Sequence, residues 1–360
     1  MRAVRVGVIG TGHIATYAHL PALARLVESG EVVLQALCDV DPEALNERAA
    51  EYRPAATYGD FRQMLDSEEL DAVYVCLPPT RHTGEVREAA ERGIHLFVEK
   101  PVSFDAAEAV ETAAVIERAG IVSQVGFQFR YYPSAEAARK LLRQRTPRHA
   151  SLQMFYSGKP LRRWTSRYEE CGGSFVENTI HMVDLLRYLL GDITDVSAFY
   201  QWRRPGEGPE PMNLPHVYTV NFRFASGLLA NASTARVLYD DEAGPGRRAL
   251  TVVGDDSIVD WSSDRVVENG TAVFEDEAAA GGGRNCQALQ ANAFVAAVRT
   301  EDPAATRSPY PASVNSLVAV LGANCSAERG GELLSLEDVA AGRVSWNRRA
   351  AAGQGIPPLE

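Results

Sequence analysis

The chain has 360 residues, 46% of them hydrophobic and 23% charged, with a formal net charge of −11 from 36 Lys+Arg against 47 Asp+Glu. This apolar content excludes a disordered or fibrous chain, and at roughly 150 residues per domain it predicts two domains, each large enough to bury its own core. The acidic balance repels phosphate backbones and anionic lipid surfaces, so neither nucleic acid nor a membrane is an expected partner. The five cysteines (Cys38, Cys76, Cys171, Cys286, Cys325) show no CxxC spacing and read as reduced cytosolic thiols, with no metal framework. No run of 18 apolar residues occurs, and the chain enters an alternating segment at Val4 with no room for a signal peptide, so a cytoplasmic location is expected.

Up to about residue 125, β-branched runs alternate with helical patterns: VRVGVIG, a helix over 15–28, VVLQALCD, a helix over 42–52, DAVYVCLPP, a helix over 83–92, HLFVEK, a helix over 105–119, and IVSQVGF. Such alternation predicts right-handed βαβ units and a doubly wound parallel sheet of the Rossmann type over residues 1–125. Beyond Gly126 one helix (134–143) leads into strand-like runs without intervening helices: HASLQMFYSG, DVSAFYQW, HVYTVNFRF, GLLANAST, RALTVVG and SIVDWS. These predict an α+β domain over residues 126–360, built on a large, mostly antiparallel open-faced sheet. Two apolar helical segments, 179–190 and 286–299, would cover one face of it. The stretches 203–215 and 278–284 read as loops.

The first chemical signal is Gly10-Thr11-Gly12-His13-Ile14-Ala15 between a strand and a helix. Gly10 permits the tight turn, Gly12 admits a pyrophosphate to the backbone, and the N–H groups around His13 and Ile14 open the helix toward the phosphates. Asp39 ends the next strand, where a carboxylate accepts hydrogen bonds from ribose hydroxyls and repels a 2′-phosphate, so NAD is expected over NADP. The second signal is Glu99-Lys100-Pro101 at the end of HLFVEK, the position at which strand ends of a parallel sheet line the ligand crevice. Only three of the 36 basic residues are lysines, so a compact amine with a movable pKa is the chemistry suggested for Lys100; a surface pair with Glu99 is the alternative. The third signal is GGSFVENTIHMVD, in which helical spacing puts Glu177, His181 and Asp184 on one face. A carboxylate beside an imidazole suits acid–base work near neutral pH. A divalent-metal site lacks a second His or a Cys pair, and a histidine merely packed in the core remains open. Cys171 has no activating base beside it in the sequence.

The order GTGHIA, strand-end Asp, LPPTRH, EKP, GFQFRYYP and GG…E…H…D resembles the Gfo/Idh/MocA family of NAD(P)-dependent oxidoreductases, which includes inositol and glucose-fructose dehydrogenases. The resemblance runs to about Val344. It implies a Rossmann domain followed by an open-faced sheet domain, with the active site between them and a homodimer or homotetramer formed through the large sheet. It also implies that Lys100 holds substrate or takes part in catalysis, commonly with a cis peptide before the proline, and that His181 is the acid–base group. Where the family usually has Asp four residues before that histidine, this chain has Glu177. A Leu77-Pro78-Pro79 turn replaces a TPN-like turn beside the cofactor, followed by the expected His82, and Gln128 stands where Asn is frequent. Cofactor contacts are therefore expected from Gly10, Gly12, His13, Ile14, Asp39, Leu77, Pro78, His82, Glu99 and Gln128. Substrate contacts are expected from Arg130, Tyr131, Tyr132, Arg163, Trp164 and Asp184, because aromatic faces and planar polar groups suit sugar rings; Arg162, Arg163 and Arg167 form a surface turn in the alternative. The activity implied is hydride transfer between nicotinamide and a carbinol carbon of a sugar, cyclic polyol or sugar derivative. Two alternatives sit on the same scaffold: glycoside cleavage by transient oxidation and elimination with retained NAD, and a non-catalytic NAD-sensing regulator.

Overall fold

The computed structural model describes residues 2–158, 164–203, 206, 212–239, 246–279 and 285–346. The described residues form two compact units. The first takes in 1–103, 108–131 and 285–314; the second takes in 104–107, 132–284 and 315–360.

In the first unit, strands β1 (Val4–Ile9), β2 (Val32–Cys38), β3 (Ala56–Tyr58), β4 (Ala72–Val75), β5 (His95–Val98) and β6 (Ser123–Val125) form one sheet in the order β3-β2-β1-β4-β5-β6. Every pairing is parallel, as the alternation of strands and helices predicts. The chain leaves β1 to one side for β2 and β3 and returns to its other side for β4. The carboxyl end of β1 is thus the point at which the order reverses, where doubly wound sheets open a ligand crevice. β4 is buried at every position, so an alternating pattern would have missed it and a continuous apolar run finds it. Helix Leu20–Glu28 presses Leu20, Leu23 and Leu26 into the core that also holds Val6 and Val8 of β1 and Leu34 and Leu37 of β2.

The chain departs from a single division at residue 125. Helix Cys286–Thr300, expected on the second sheet, instead places Phe294, Val295, Ala297 and Val298 in the core of the first unit. Phe294 meets the rings of Tyr74 and Phe97 edge-on, with centroids 5.4 and 5.7 Å apart. Residues 306–310 then run along the outer edge of β6. Val125 N–H donates to the Ser308 carbonyl (2.8 Å), and Thr306 Oγ1 donates to the Ser123 carbonyl (3.0 Å). This occupies an edge that would otherwise present unpaired backbone. Helical periodicity fixes which face of residues 286–299 is apolar; it carries no information on which sheet receives that face.

The second unit is a nine-stranded sheet in the order β14-β13-β12-β11-β7-β10-β9-β8-β15. Its strands are β7 (Pro147–Ser157), β8 (Ile193–Trp202), β9 (Pro215–Phe224), β10 (Leu229–Leu238), β11 (Arg247–Gly254), β12 (Ser257–Trp261), β13 (Arg265–Glu268), β14 (Thr271–Glu275) and β15 (Leu334–Ser335). Only β7 and β10 pair in parallel. The buried positions of β9 alternate strictly (Tyr218, Val220, Phe222, Phe224) because helix Ile180–Leu190 and its neighbours cover one face. Phe199, Leu229 and Ile258 remain exposed. The short strands β13, β14 and β15 were not anticipated, and most of the two expected loops lies outside the described residues.

Candidate functional site

The glycine turn in the first unit is built as its sequence demands. Gly10 has φ +89°, and a Cβ there would stand 2.7 Å from the Cys76 carbonyl oxygen, so no other residue fits without moving β4. Gly12 is different: a Cβ on it would meet nothing within 4 Å. Its lack of a side chain leaves open the space a diphosphate needs rather than avoiding a clash. The carboxylate of Asp39 holds the turn from the end of β2, accepting from Thr11 N–H (2.7 Å) and Thr11 Oγ1 (3.0 Å) through Oδ2, and from Asp41 N–H (3.0 Å) through Oδ1. The cap of helix Pro42–Tyr52 is Asp41, leaving Asp39 to the crevice.

A cleft of about 550 Å³ opens here, lined by Gly10, Gly12, Asp39, Leu77 and Pro78 together with Cys38, Asp60, Phe61, Arg62 and Arg81. Burial, and after it the Asp39 and Asp60 carboxylates, push the Cys38 thiol up to about 12, so the thiol is inert. Arg62 is engaged by Glu88 (2.7 Å) and the Thr83 carbonyl (3.2 Å). The turn, the open space at Gly12 and the strand-end carboxylate fit a dinucleotide with a free ribose 2′-hydroxyl. His13 is exposed and stacks on Tyr17, with centroids 5.6 Å apart, at the mouth of the turn, while Ile14 precedes a single π-turn, Ala15–His19. Among the other expected cofactor residues, His82 turns to the buried Glu85 through Nδ1. Burial raises Glu85, but the His82 hydrogen bond and charge outweigh it and hold the carboxyl below its ordinary range.

At the end of β5, Lys100 is half-buried and the Lys100–Pro101 peptide is cis. Glu99 is buried; its Oε1 pairs with Nε2 of His19 at 2.7 Å, and its Oε2 accepts from Lys100 N–H at 3.1 Å. His19 was not singled out from the sequence. Gln128 opens the short helix Gln128–Tyr131. Two residues of that helix, expected on substrate, are instead locked into the first unit. Arg130 is buried, and its Nη1 donates to the Arg307 carbonyl (2.5 Å). Tyr131 Oη donates to Gln124 Oε1 (2.7 Å) and accepts from Arg307 N–H (3.1 Å). Burial pushes the Tyr131 hydroxyl up to about 12. Both side chains fasten residues 306–308 to this unit.

In the second unit, Gly172 and Gly173 adopt left-handed backbone and deliver the chain into a five-residue π-turn, Phe175–Thr179, ahead of helix Ile180–Leu190. Glu177 lies in the π-turn and His181, buried, in the first helical turn, so regular 3.6-residue spacing does not run through both. Such one-turn π insertions recur at functional sites. Asp184 does not join them: it is fully buried and accepts from Ser316 Oγ (2.7 Å), which in turn accepts from Arg187 Nη1 (2.8 Å). This chain ties two helices together. Cys171 is fully buried, and burial, then Glu177, push its thiol up to about 12, which removes it as a nucleophile.

Trp164 packs with Trp202 and Trp346 around Tyr168, and Arg162 and Arg163 lie outside the described residues. Two further residues were missed. A register shift in β10 between Ala235 and Leu238 breaks the strand alternation, and Arg236 within it is buried, with Nη1 donating to the Thr165 carbonyl (3.1 Å). The Tyr156 hydroxyl is raised by burial and by Glu177, against the lowering pull of Arg236. The Tyr156 hydroxyl thus feels both Glu177 and Arg236, a grouping that no sequence spacing reveals. Among the described residues no cluster of three or more His, Cys, Asp or Glu is arranged to hold a metal ion.

Comparison with known proteins agrees with this geometry. The family profile described as "Oxidoreductase family, NAD-binding Rossmann fold" matches residues 4–127, and that of the "GFO/IDH/MocA C-terminal domain" matches residues 137–259. A D-xylose 1-dehydrogenase (NADP(+)) of Haloferax volcanii is 35% identical over 38% of this chain and 41% of its own length. A scyllo-inositol 2-dehydrogenase (NAD(+)) of Bacillus subtilis is 30% identical over 54% of this chain and 56% of its own. The chain spans about half the length of the curated relatives it matches. The structure of WlbA dehydrogenase from Bordetella pertussis with NADH and UDP-GlcNAcA superposes with a TM-score of 0.77 at 21% identity, covering 93% of this chain and 99% of that one, which shows the shared fold. The chain belongs to the Gfo/Idh/MocA family of oxidoreductases, and its first unit is that family's NAD-binding Rossmann domain.

Proposed function

We propose that the protein is an NAD-dependent dehydrogenase that oxidises a secondary hydroxyl of a sugar, cyclic polyol or sugar derivative, or reduces the corresponding ketone. The observation that carries this reading is the cradle itself: a glycine turn with open space at Gly12, closed at one end by the Asp39 carboxylate. Bound NAD supplies a hydride acceptor at its nicotinamide. The chain's own task is then to position the hydroxyl and move its proton. Lys100, half-buried at the end of β5, is assigned to hydrogen-bond the substrate oxygen and stabilise negative charge developing on it. His181 is assigned to take the hydroxyl proton, leaving a carbonyl; Glu177 orients the imidazole or accepts from a neighbouring hydroxyl. Asp39 is assigned to the ribose of the cofactor, favouring NAD over NADP. Tyr156 and Arg236 are added to the candidates for substrate contact.

We assign a cytoplasmic location, supported by five free, buried cysteines, and homo-oligomerisation through the exposed sheet face carrying Phe199, Leu229 and Ile258. No helix among the described residues is long and apolar enough to cross a membrane. The test is a screen of NAD⁺ reduction against inositols, aldoses and uronates, repeated with Lys100→Ala and His181→Ala. Each variant is expected to lose about 100-fold or more in turnover while still binding NAD⁺. Wild-type turnover in both variants rejects the assignment. Nicotinamide retained through purification, with no NADH accumulating on any polyol, transfers it to the glycoside-cleaving alternative.

A further inference from the structure

We propose that His19 and Glu99 are positioning residues for Lys100, forming a buried dyad that fixes the backbone from which the lysine projects; this rests on the role assigned to Lys100 above. The pair is unusual for its surroundings. His19 has no exposed surface and Glu99 only 6%, and the imidazole is packed against Phe97 and Tyr74, with ring centroids 4.8 and 5.6 Å away. A carboxylate in such apolar surroundings is costly unless each oxygen is satisfied. Both are. Nε2 of His19 donates to Oε1 at 2.7 Å and the Lys100 N–H donates to Oε2 at 3.1 Å. Among the described residues Nδ1 of His19 has no hydrogen-bond partner, so Glu99 is the imidazole's one hydrogen-bonding contact.

Two features of the chain serve this contact. The π-turn Ala15–His19 shifts the helical register directly after the glycine turn, and its last residue is the histidine. At the end of β6, Gly126 leaves the space the carboxylate occupies: a Cβ there would lie 2.7 Å from Oε1 and 2.9 Å from Oε2. Because Gly126 does not have a positive φ, an alanine is free to adopt its backbone, so the clash would be relieved by displacing the Glu99 side chain. The chain thus offers two independent ways of unseating one carboxylate, from the His19 side and from the Gly126 side. If the dyad's task is to position the lysine, both must have the same consequence at Lys100.

The lysine count makes this measurable without substrate. The chain has three lysines, Lys100, Lys140 and Lys159, so reductive ¹³C-methylation gives three side-chain resonances beside that of the α-amino group, and Lys100→Arg assigns one of them. In cofactor-free protein, His19→Ala and Gly126→Ala are each expected to move the Lys100 resonance while Lys140 and Lys159 stay in place. His19→Gln, whose amide also donates toward Glu99, is expected to restore it. With whichever polyol the screen finds active, the two disruptive variants should lower kcat about 10-fold. If His19→Ala does not fold, Glu99→Gln and Gly126→Ala carry the same test. A Lys100 resonance and kcat unchanged in folded variants overturn the dyad. A resonance that responds, with no polyol oxidised, leaves the dyad standing and removes the dehydrogenase reading instead.

Discussion

The two glycines of the first turn do different jobs, and substituting each by alanine separates them. At Gly10 the backbone has φ +89°, where a Cβ costs about 1–2 kcal/mol on conformation alone. The new methyl would also stand 2.7 Å from the Cys76 carbonyl oxygen and 2.9 Å from Leu77 Cδ2, so β1 and β4 must move apart at their carboxyl ends. Together these give roughly 2–4 kcal/mol, or a fall in Tm of about 5–10 °C for a unit of this size. At Gly12 neither term applies, because φ is not in the left-handed region and nothing lies within 4 Å of the added Cβ. Gly12→Ala should therefore stay within about 1 kcal/mol of wild type in stability. It should nonetheless bind NAD⁺ at least about 10-fold more weakly, a loss of about 1.4 kcal/mol, because the methyl fills the space the diphosphate would enter. Thermal melts and a titration of protein fluorescence with NAD⁺ read both effects. A Gly12→Ala protein that binds NAD⁺ as the wild type does, or a Gly10→Ala protein with an unchanged Tm, refutes the division of roles.

Two further outcomes follow from side chains of the same unit. Asp39→Ala removes the carboxylate facing the ribose end of the cleft, and the ratio of NADP⁺ to NAD⁺ affinity should rise about 10-fold or more; a constant ratio in paired titrations would remove Asp39 from cofactor selection. At the opposite ends of the strands, burial raises Asp71, but hydrogen bonds from the Arg5 side chain and N–H, with the charges of Arg5 and Arg2, outweigh it and hold the carboxyl below its ordinary range. A group depressed on folding contributes stability above its unfolded value, near 4, and loses that contribution as pH falls through the folded value. Asp71→Asn should accordingly be less stable than wild type in urea at pH 7, and the gap should close toward pH 3; an equal gap at both pH values would show that the ion pairs contribute no pH-dependent stability.

The parts of this molecule that its sequence makes legible are those set by neighbours in the chain. The run VRVGVI followed by Gly-Thr-Gly and a helix specifies a strand, a turn and a helix start within fifteen residues, and the structure has all three. The strands of the second sheet are equally readable, since alternation such as that of β9 is a local property. What stayed hidden depends on partners far away. Arg130 and Tyr131 look like surface-ready aromatic and cationic groups until residue 307, 177 positions from Arg130, closes over them. Asp184 keeps its helical spacing from His181 but is taken by Ser316, 132 positions on. Periodicity gives the face of a residue, and these cases turn on which element that face meets.

His19 marks the boundary of what a pattern can say. Read as one more residue of an α-helix beginning at Ala15, it is a histidine on an apolar stripe, and packing alone accounts for it. A single π-turn removes that reading, because it changes the direction of a side chain without changing the composition around it. One signal was available. Glu99 is an acidic residue closing an otherwise apolar buried strand, HLFV, and a buried carboxylate requires donors from somewhere in the chain. His19, followed by Leu-Pro-Ala-Leu, is such a donor in equally apolar sequence. Matching unsatisfied charges to donors across apolar segments, rather than searching for spaced motifs, would have brought His19 and Glu99 together from the sequence.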